Sequence, residues 1–528
     1  MADIEKVYDN LGGFKSYQVK MYLLCCFVVF INGMCIMTDT FSIHSDEYSY
    51  KCYVPGCDAD ESSSSEEFLN FTTPFGKEKN KYDSCHLFAR FEVANESVGN
   101  CSEEMFNQNQ ITNCSKWVFD ATVFTSTVVS TFDLVCDRTY LASLGGSVYM
   151  AGNFIGSPIL GLISDKYGRK FGLLVSTLLF VTCGLVGVLS PNYVIFLLFR
   201  FLTGAGAIGC FQVAFVIGIE FISAKWRTFS GIMIEIPFAL GEAATGLLAY
   251  FMTDWKWFQF FPESVRWLIS KNKINEAIKL NPNAEDGFED KRDKSVFNIF
   301  KSPNMRKRSL ILFFCWIVCT LSYYGLSRNA GNLSGNLFLN YISLMIIEIP
   351  SYIVSYFLLD KIGRKGTLIV VFILAGIASL VSGLLPLHFE LLIVITSLLG
   401  KFGIAAAFGC IFVYTAELYP TEYRGIGVGA CSSFARIGGI LAPLAANLSK
   451  FYRPLPLLIF GVLSFISGLL IFLLPETLGY DLPQTLEECE NFGRNNENKS
   501  AMKFSCCLPL KREQSETEMK AEGTSQKQ

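Results

Sequence analysis

The sequence predicts an all-α protein that crosses a membrane many times and is built from two related halves. Three observations carry the prediction. Of 528 residues, 51% are hydrophobic, 17% are charged and 47 are phenylalanine, whereas about a quarter of a soluble chain is charged. The apolar residues gather in blocks of about 20, the helix length that spans ~30 Å of hydrocarbon, and backbone in lipid must satisfy its own amides, so the blocks are helices. Finally, the charged stretch Gly161-Leu162-Ile163-Ser164-Asp165-Lys166-Tyr167-Gly168-Arg169-Lys170 returns as Leu359-Asp360-Lys361-Ile362-Gly363-Arg364-Lys365, each copy between two apolar blocks. Such recurrence marks an internal repeat.

Residues 1–20 are polar, carry no cleavable signal pattern and are expected in the cytoplasm. The first span, about Met21 to Ile43, leads into a polar loop, residues 44–140, with the serine run Ser62 to Ser65. Six cysteines fall in this loop: Cys52, Cys57, Cys85, Cys101, Cys114 and Cys136. Four Asn-x-Ser/Thr sequons lie among them, at Asn70, Asn95, Asn100 and Asn113. An even cysteine set beside glycosylation acceptors predicts a disulfide framework on the oxidising, extracellular side. The sequence leaves the pairing open.

Further spans are expected near Leu141–Ile163, Phe171–Leu189, Tyr193–Ile219 and Phe229–Phe251, closing a first bundle over residues 21–253. Residues 254–308 read as a cytoplasmic interdomain segment, because Lys291, Arg292, Lys294, Lys301, Arg306, Lys307 and Arg308 precede the next span. Within it, Pro262-Glu263-Ser264 followed by Val265-Arg266-Trp267-Leu268-Ile269 predicts a short helix on the membrane face. The second bundle, residues 309–475, has spans near Ser309–Leu326, Leu337–Leu359, Thr367–Leu385, Leu391–Thr415, Ile426–Leu448 and Leu455–Leu474. Residues 476–528 form a cytoplasmic tail, polar and without expected structure from Gly479 on.

The eleven spans conflict with the repeat. Hairpins with identical charges should face the same side, yet three spans separate Arg227 from Asp360, and an odd number reverses sides. The repeat locates the defect. Asp165, Glu220, Arg227 and Pro262 match Asp360, Glu417, Arg424 and Pro475, at separations of 195, 197, 197 and then 213. A sixth helix is due between Arg227 and Pro262, and the chain is short there by 16 residues. A re-entrant aromatic segment over Trp255 to Phe261 is the alternative. With the missing helix restored, both termini would lie in the cytoplasm.

The duplicated charges suit a gate. Asp165 is placed to cap the following helix, with Gly168 and Arg169 completing the turn, and Glu220 and Arg227 are placed to pair with it. Asp360, Gly363, Arg364, Glu417 and Arg424 repeat the set. Charge contacts of this kind are made in one conformation and broken in another. Ionisable residues inside spans are costly in a membrane and usually functional, which singles out Glu235, Glu242, Glu348 and Arg436 as candidate substrate ligands. The partner of Arg436 is either a substrate carboxylate or a glutamate across the cavity. Trp316, Tyr323 and Tyr324 either stack on an organic cation or pack against neighbouring helices. Three histidines in all, no phosphate-binding loop and no metal-spaced cluster point away from an enzyme, a metal or a cofactor. Gly204-Ala205-Gly206-Ala207-Ile208-Gly209 lies inside a span and reads as helix-packing glycine. A net charge of −3 suggests no nucleic-acid partner; the partners expected are the lipid bilayer, a small organic ion and, through the large loop, a second copy of the chain.

These stretches resemble the major facilitator superfamily and, within it, the organic cation, anion and carnitine transporters of the solute carriers. The resemblance rests on Gly161–Lys170, Asp254–Gln259 with Pro262–Leu268, Ser302–Gly325, and Val413-Tyr414-Thr415-Ala416-Glu417-Leu418-Tyr419-Pro420-Thr421 with Arg424, together with the six-cysteine loop. It implies the major-facilitator two-bundle fold on a 12-helix plan, of which about 11 spans are present. It further implies alternating access around a central cavity and secondary-active or facilitative transport of organic ions across the plasma membrane. The family has a sixth helix before Pro262 and this chain departs from it there, so a transport-deficient product is the alternative. Cation carriers have an acid where Arg436 stands, whereas carnitine and anion carriers have arginine. Ile347-Glu348-Ile349-Pro350 resembles the cation and carnitine branch, and a zwitterion satisfies both features.

Overall fold

The computed structural model describes residues 16–43, 50–54, 66–76, 81–90, 103–220, 227–259, 302–333, 335–386, 388–420, 423–479 and 483–492. The first half contributes α1 (Ser16–Ile36), α2 (Thr139–Tyr167), α3 (Arg169–Val188), α4 (Tyr193–Glu220) and α5 (Glu235–Phe251), the last entered through a short helix, Arg227–Met233. The second contributes α6 (Pro303–Arg328), α7 (Leu337–Ile346), α8 (Glu348–Lys361), α9 (Arg364–Leu384), α10 (Glu390–Leu418), α11 (Arg424–Asn447) and α12 (Leu455–Ile471). Among the described residues ten helical segments are long and apolar enough to cross a membrane, α7 and α8 forming one of them, and α12 is a shorter apolar helix. All eleven expected spans are therefore helical.

Two breaks have one cause. Both α5 and α8 open on Glu-Ile-Pro, Glu235-Ile236-Pro237 and Glu348-Ile349-Pro350. Proline has no amide to return to the carbonyl four residues back, so each helix breaks just before its glutamate. Elsewhere the helices approach at glycine. A Cβ on Gly33 of α1 would lie 2.3 Å from Phe238 O of α5, and one on Gly241 only 2.0 Å from Phe30 O. Gly204 of α4 meets Tyr149 O of α2 in the same way, at 2.1 Å, as small-residue membrane interfaces do. The halves meet along α2 against α11 and α5 against α7 and α8.

One end of the molecule carries the large loop. Its antiparallel pairs are β1 (Tyr50–Cys52) with β6 (Trp117–Phe119), β2 (Phe75–Gly76) with β3 (Lys81–Tyr82), and β4 (His86–Arg90) with β5 (Phe106–Asn113). Disulfides Cys52–Cys114 and Cys85–Cys136 staple them; Cys57 and Cys101 lie outside the described residues. Asn70 and Asn113 are exposed, while Asn95 and Asn100 are outside the described residues. The opposite end carries the two charged hairpins, whose turns need Gly168 at φ 90° and Gly363 at φ 91°, a region that side chains with a Cβ avoid.

Three expectations change. Asp254–Gln259 does not lie with the hairpin end, where a segment 254–308 on the side of the basic residues would place it, but docks on the disulfide end. Trp255 donates its indole N–H to Thr131 Oγ1 at 2.9 Å and packs on Phe132 and Phe196, and Thr125 N donates to Thr253 O at 3.2 Å. A buried indole needs both an apolar bed and an acceptor, and this end supplies them. Second, α6 starts at Pro303 rather than Ser309, because proline suits a first turn and Glu490 accepts from Asn304 N at 2.9 Å and Met305 N at 3.1 Å. Third, part of the tail is ordered. Residues Leu486–Asn491 form α13, anchored by Arg308, which donates to Cys489 O and Phe492 O at 2.6 Å. The membrane-face helix expected after Pro262 and the basic residues 291–301 lie outside the described residues.

The chain thus leaves α5 at the disulfide end and enters α6 at the hairpin end. The connecting residues, 260–301, lie outside the described residues, and their sequence contains no apolar run of ~20. In the second half α9 is flanked by both α10 and α12, with Gly461 of α12 against Leu380 and Gly468 against Ile373. Its counterpart α3 packs on α4 and α2, with no described helix in the place that α12 takes beside α9. The bare flank falls where the repeat loses register.

Candidate functional site

A narrow, partly open cavity lies between the halves. Asn32, Asn153, Phe211, Glu235 and Phe238 line it from the first half, and Tyr323, Tyr324, Phe408, Phe412 and Arg436 from the second. Two charges face it. Glu235, in the first turn of α5, is 5% exposed, and Arg436, mid-way along α11, is 9% exposed. Neither makes a hydrogen bond or ion pair among the described residues, and the Arg436 Nε is buried without a partner. No glutamate satisfies Arg436. Trp316 does not line the cavity: its indole donates to Thr415 Oγ1 at 3.0 Å and its ring stacks edge-on to Phe412 at 4.4 Å. It supports the wall from behind.

Glu242 and Glu348 also lie behind the wall, contrary to a direct ligand role. Tyr323 separates them from the cavity, its Oη 3.0 Å from Glu242 Oε2 and 2.7 Å from Glu348 Oε2. Tyr352 donates to Glu348 Oε2 at 3.1 Å. Lys401, in the middle of α10, puts its Nζ 2.7 Å from Glu348 Oε1 and 3.4 Å over the Tyr323 ring, and donates to Ser327 Oγ at 2.8 Å. Glu242, Glu348 and Lys401 are fully buried. An isolated carboxylate there would cost several kcal/mol, which is why Glu348 has its ammonium. Lys401 is a site residue that the sequence pattern reveals by the same rule as the glutamates, a lone charge inside a span.

A second cluster, also signalled only by charges near span ends, closes the disulfide end. Asp39, just past α1, bonds Arg200 of α4 through one oxygen, and Arg328 at the end of α6 stands 3.7 Å from the other. Asp39 and Arg200 are buried, and the Arg328 side chain is 9% exposed. Arg328 comes from the second half, so one carboxylate ties the halves together. Phe41 reinforces the closure, with ring centroids 4.8 Å from Tyr341 and 5.7 Å from Phe338.

At the hairpin end Asp165 pairs with Arg169 of its own hairpin, so it does not cap α3. In the second copy the cap on α9 is Glu476, which accepts from Arg364 N at 2.9 Å and Lys365 N at 3.1 Å. Arg364 reaches Glu417 at 3.1 Å and Asp360 at 3.4 Å, and Thr477 donates to Glu417 at 2.6 Å. Arg424, half-buried, begins α11 at this end. The side chains of Glu220 and Arg227 lie outside the described residues. Across the halves, Phe229 meets Tyr356 at 5.8 Å.

Comparison with known proteins agrees with this architecture. Residues 121–443 and 323–488 match the Major Facilitator Superfamily. The organic cation transporter protein of Drosophila melanogaster is 32% identical over 93% of this chain and 95% of its own length. Human solute carrier family 22 member 2 is 30% identical over 94% of this chain and 97% of its own. A crystal structure of a D-xylose-proton symporter aligns with a TM-score of 0.52 at 15% identity, covering 66% of this chain and 90% of that one, a likeness of fold. With two helix bundles, a cavity between them and relatives matched end to end, the chain belongs to the major facilitator superfamily, in the organic cation transporter family of solute carriers.

Proposed function

We propose that the chain carries a small organic zwitterion of carnitine-like chemistry across the plasma membrane by alternating access between its halves. One observation carries the reading: an unpaired guanidinium, Arg436, and an unpaired carboxylate, Glu235, face the same aromatic-lined cavity from opposite halves. Each is costly to bury alone. A ligand with a carboxylate and a quaternary ammonium satisfies both, the first by a forked bond to Arg436 and the second by Glu235 with the Tyr324 and Phe238 faces. A simple cation leaves Arg436 unmatched, and a dicarboxylate leaves Glu235 unmatched. Exposed Asn70 and Asn113 beside two disulfides support an extracellular face there, with the hairpins as a cytoplasmic gate.

Uptake of labelled carnitine, a quaternary amine and a dicarboxylate into expressing cells tests the reading. Carnitine is expected to enter saturably, and Arg436→Ala to cut its uptake about tenfold or more, the worth of a bond to a charged group, while sparing the quaternary amine. No saturable uptake of any of the three, with the protein at the surface, overturns it. A second reading, a transport-deficient product, is favoured by the bare flank of α3 and by α5 and α6 facing opposite ends. Sugar on the large loop alone, with none at the Asn-x-Ser sites Asn332 and Asn447 and no surface protein, is its expected signature.

A further inference from the structure

The contacts around Tyr323 contain a proton count. Its hydroxyl lies within hydrogen-bonding distance of two carboxylate oxygens, 3.0 Å from Glu242 Oε2 and 2.7 Å from Glu348 Oε2. A phenol has one proton and a carboxylate none to give. One proton cannot make both bonds. The shorter contact is to Glu348, already the acceptor of Tyr352 and the partner of Lys401, so the Tyr323 proton belongs there. The 3.0 Å contact is then a bond only if Glu242 holds a proton and donates it to the lone pair of Tyr323. The chain of contacts then closes: Glu242 O–H to Tyr323, Tyr323 O–H to Glu348, and Glu348 paired with Lys401.

Charge leads to the same assignment. Glu348 and Lys401 neutralise each other, and no other described cation is within ion-pair distance of Glu242. The remaining groups around it are Glu235 on its own helix, Tyr323 and Tyr324 of α6, Tyr341 of α7, Glu348 and Tyr352 of α8, and Lys401 of α10. From α1 it meets backbone, where a Cβ on Gly33 would stand 3.3 Å from Glu242 N. Arg436 lies beyond Tyr324. An ionised Glu242 would put a second, uncompensated negative charge in a fully buried site. Two further polar atoms at this site, Glu242 Oε1 and the Tyr341 hydroxyl, are buried without hydrogen-bond partners, so hydrogen-bonding capacity remains there for an exchangeable proton.

We infer that Glu242 is a proton-binding site, neutral while the halves are closed, and that transport is thereby linked to protons. When the halves part, the Glu242 carboxyl loses its proton to water, giving a carboxylate and hydronium, and Tyr323 keeps its bond to Glu348. Reclosing requires a proton to return. The inference concerns the wall of the cavity assigned above to substrate, and part of its test is independent of any substrate.

Difference infrared spectra of the purified full chain in liposomes report a protonated carboxyl directly. A carbonyl-stretch band of a carboxylic acid is expected at neutral pH, lost in Glu242→Gln and shifted to higher frequency in Tyr323→Phe, which removes its acceptor. In the same liposomes carrying a pH-sensitive dye, labelled carnitine is expected to move with a proton flux that Glu242→Gln abolishes. The amide of Gln can still donate to Tyr323, so that variant is expected to fold, checked by its thermal unfolding. Absence of the band, or its loss in Glu348→Gln rather than Glu242→Gln, overturns the site. A band that behaves as expected without carnitine movement leaves the proton site standing and overturns the substrate assignment.

Discussion

Lys401 shows what one side chain can settle. Its ammonium is the only described cation paired with Glu348, so Lys401→Met leaves a buried carboxylate uncompensated. The expected loss is ~3–5 kcal/mol, read as a fall in the thermal unfolding temperature of detergent-purified protein. Adding Glu348→Gln should recover much of it, and a double variant as unstable as the single one would refute the pairing. The glutamates and Arg436 stand out in the sequence because each interrupts an apolar run. Their division of labour does not. Whether Glu242 faces the cavity or sits behind Tyr323 depends on how α5 rotates against α6, α7 and α8, and no spacing along one helix records that rotation. Between stacking on a ligand and packing, Trp316 takes the second, its helix presenting the indole to Thr415 and Phe412 instead of to the cavity.

At the scale of elements, α13 is a clasp. Its six residues cap α6 through Glu490 and rest on α10 through Cys489, whose thiol donates to Leu418 O at 3.2 Å. Glu490→Ala is expected to lower stability by ~1 kcal/mol, the usual value of a helix cap, measured by denaturant or thermal unfolding. Burial pushes the Cys489 thiol up to about 12, so it stays protonated at neutral pH. Maleimide is therefore expected to label it slowly in the native protein and rapidly once α13 is displaced, as in Glu490→Ala; equally fast labelling of both would contradict the docking. The clasp was not visible in a polar tail, because its apolar contacts are few and its anchor, Arg308, is far away in sequence. The helix-packing glycines were visible. Gly204 lies where a side chain would strike Tyr149 O, and Gly204→Val is expected to cost ~1–3 kcal/mol by overpacking, or to prevent folding.

For the whole molecule, the repeat carries the most information, since its matching residues lose 16 positions of register between Arg227 and Pro262. The structure gives the interval a physical setting: α5 ends beside Thr131 and α6 starts beside Glu490. Inserting an apolar helix of ~20 residues between Gln259 and Pro262 is expected to raise surface delivery several-fold, measured by surface biotinylation, through cover for the exposed face of α3. Unchanged delivery would show that the chain inserts as well without it.

The carboxylate of Asp39 has a consequence for how the disulfide end lets go. It holds Arg200 within its own half and Arg328 from the other. When the halves separate, Asp39 and Arg200 leave as a neutral couple, and Arg328 alone emerges as a bare cation at the mouth. The balance between shut and open then depends on the anions in the medium at the disulfide end. A weakly hydrated anion that settles on Arg328 would hold the mouth open, so changing the salt on that side at constant ionic strength should alter the rate of cycling with every protein contact intact.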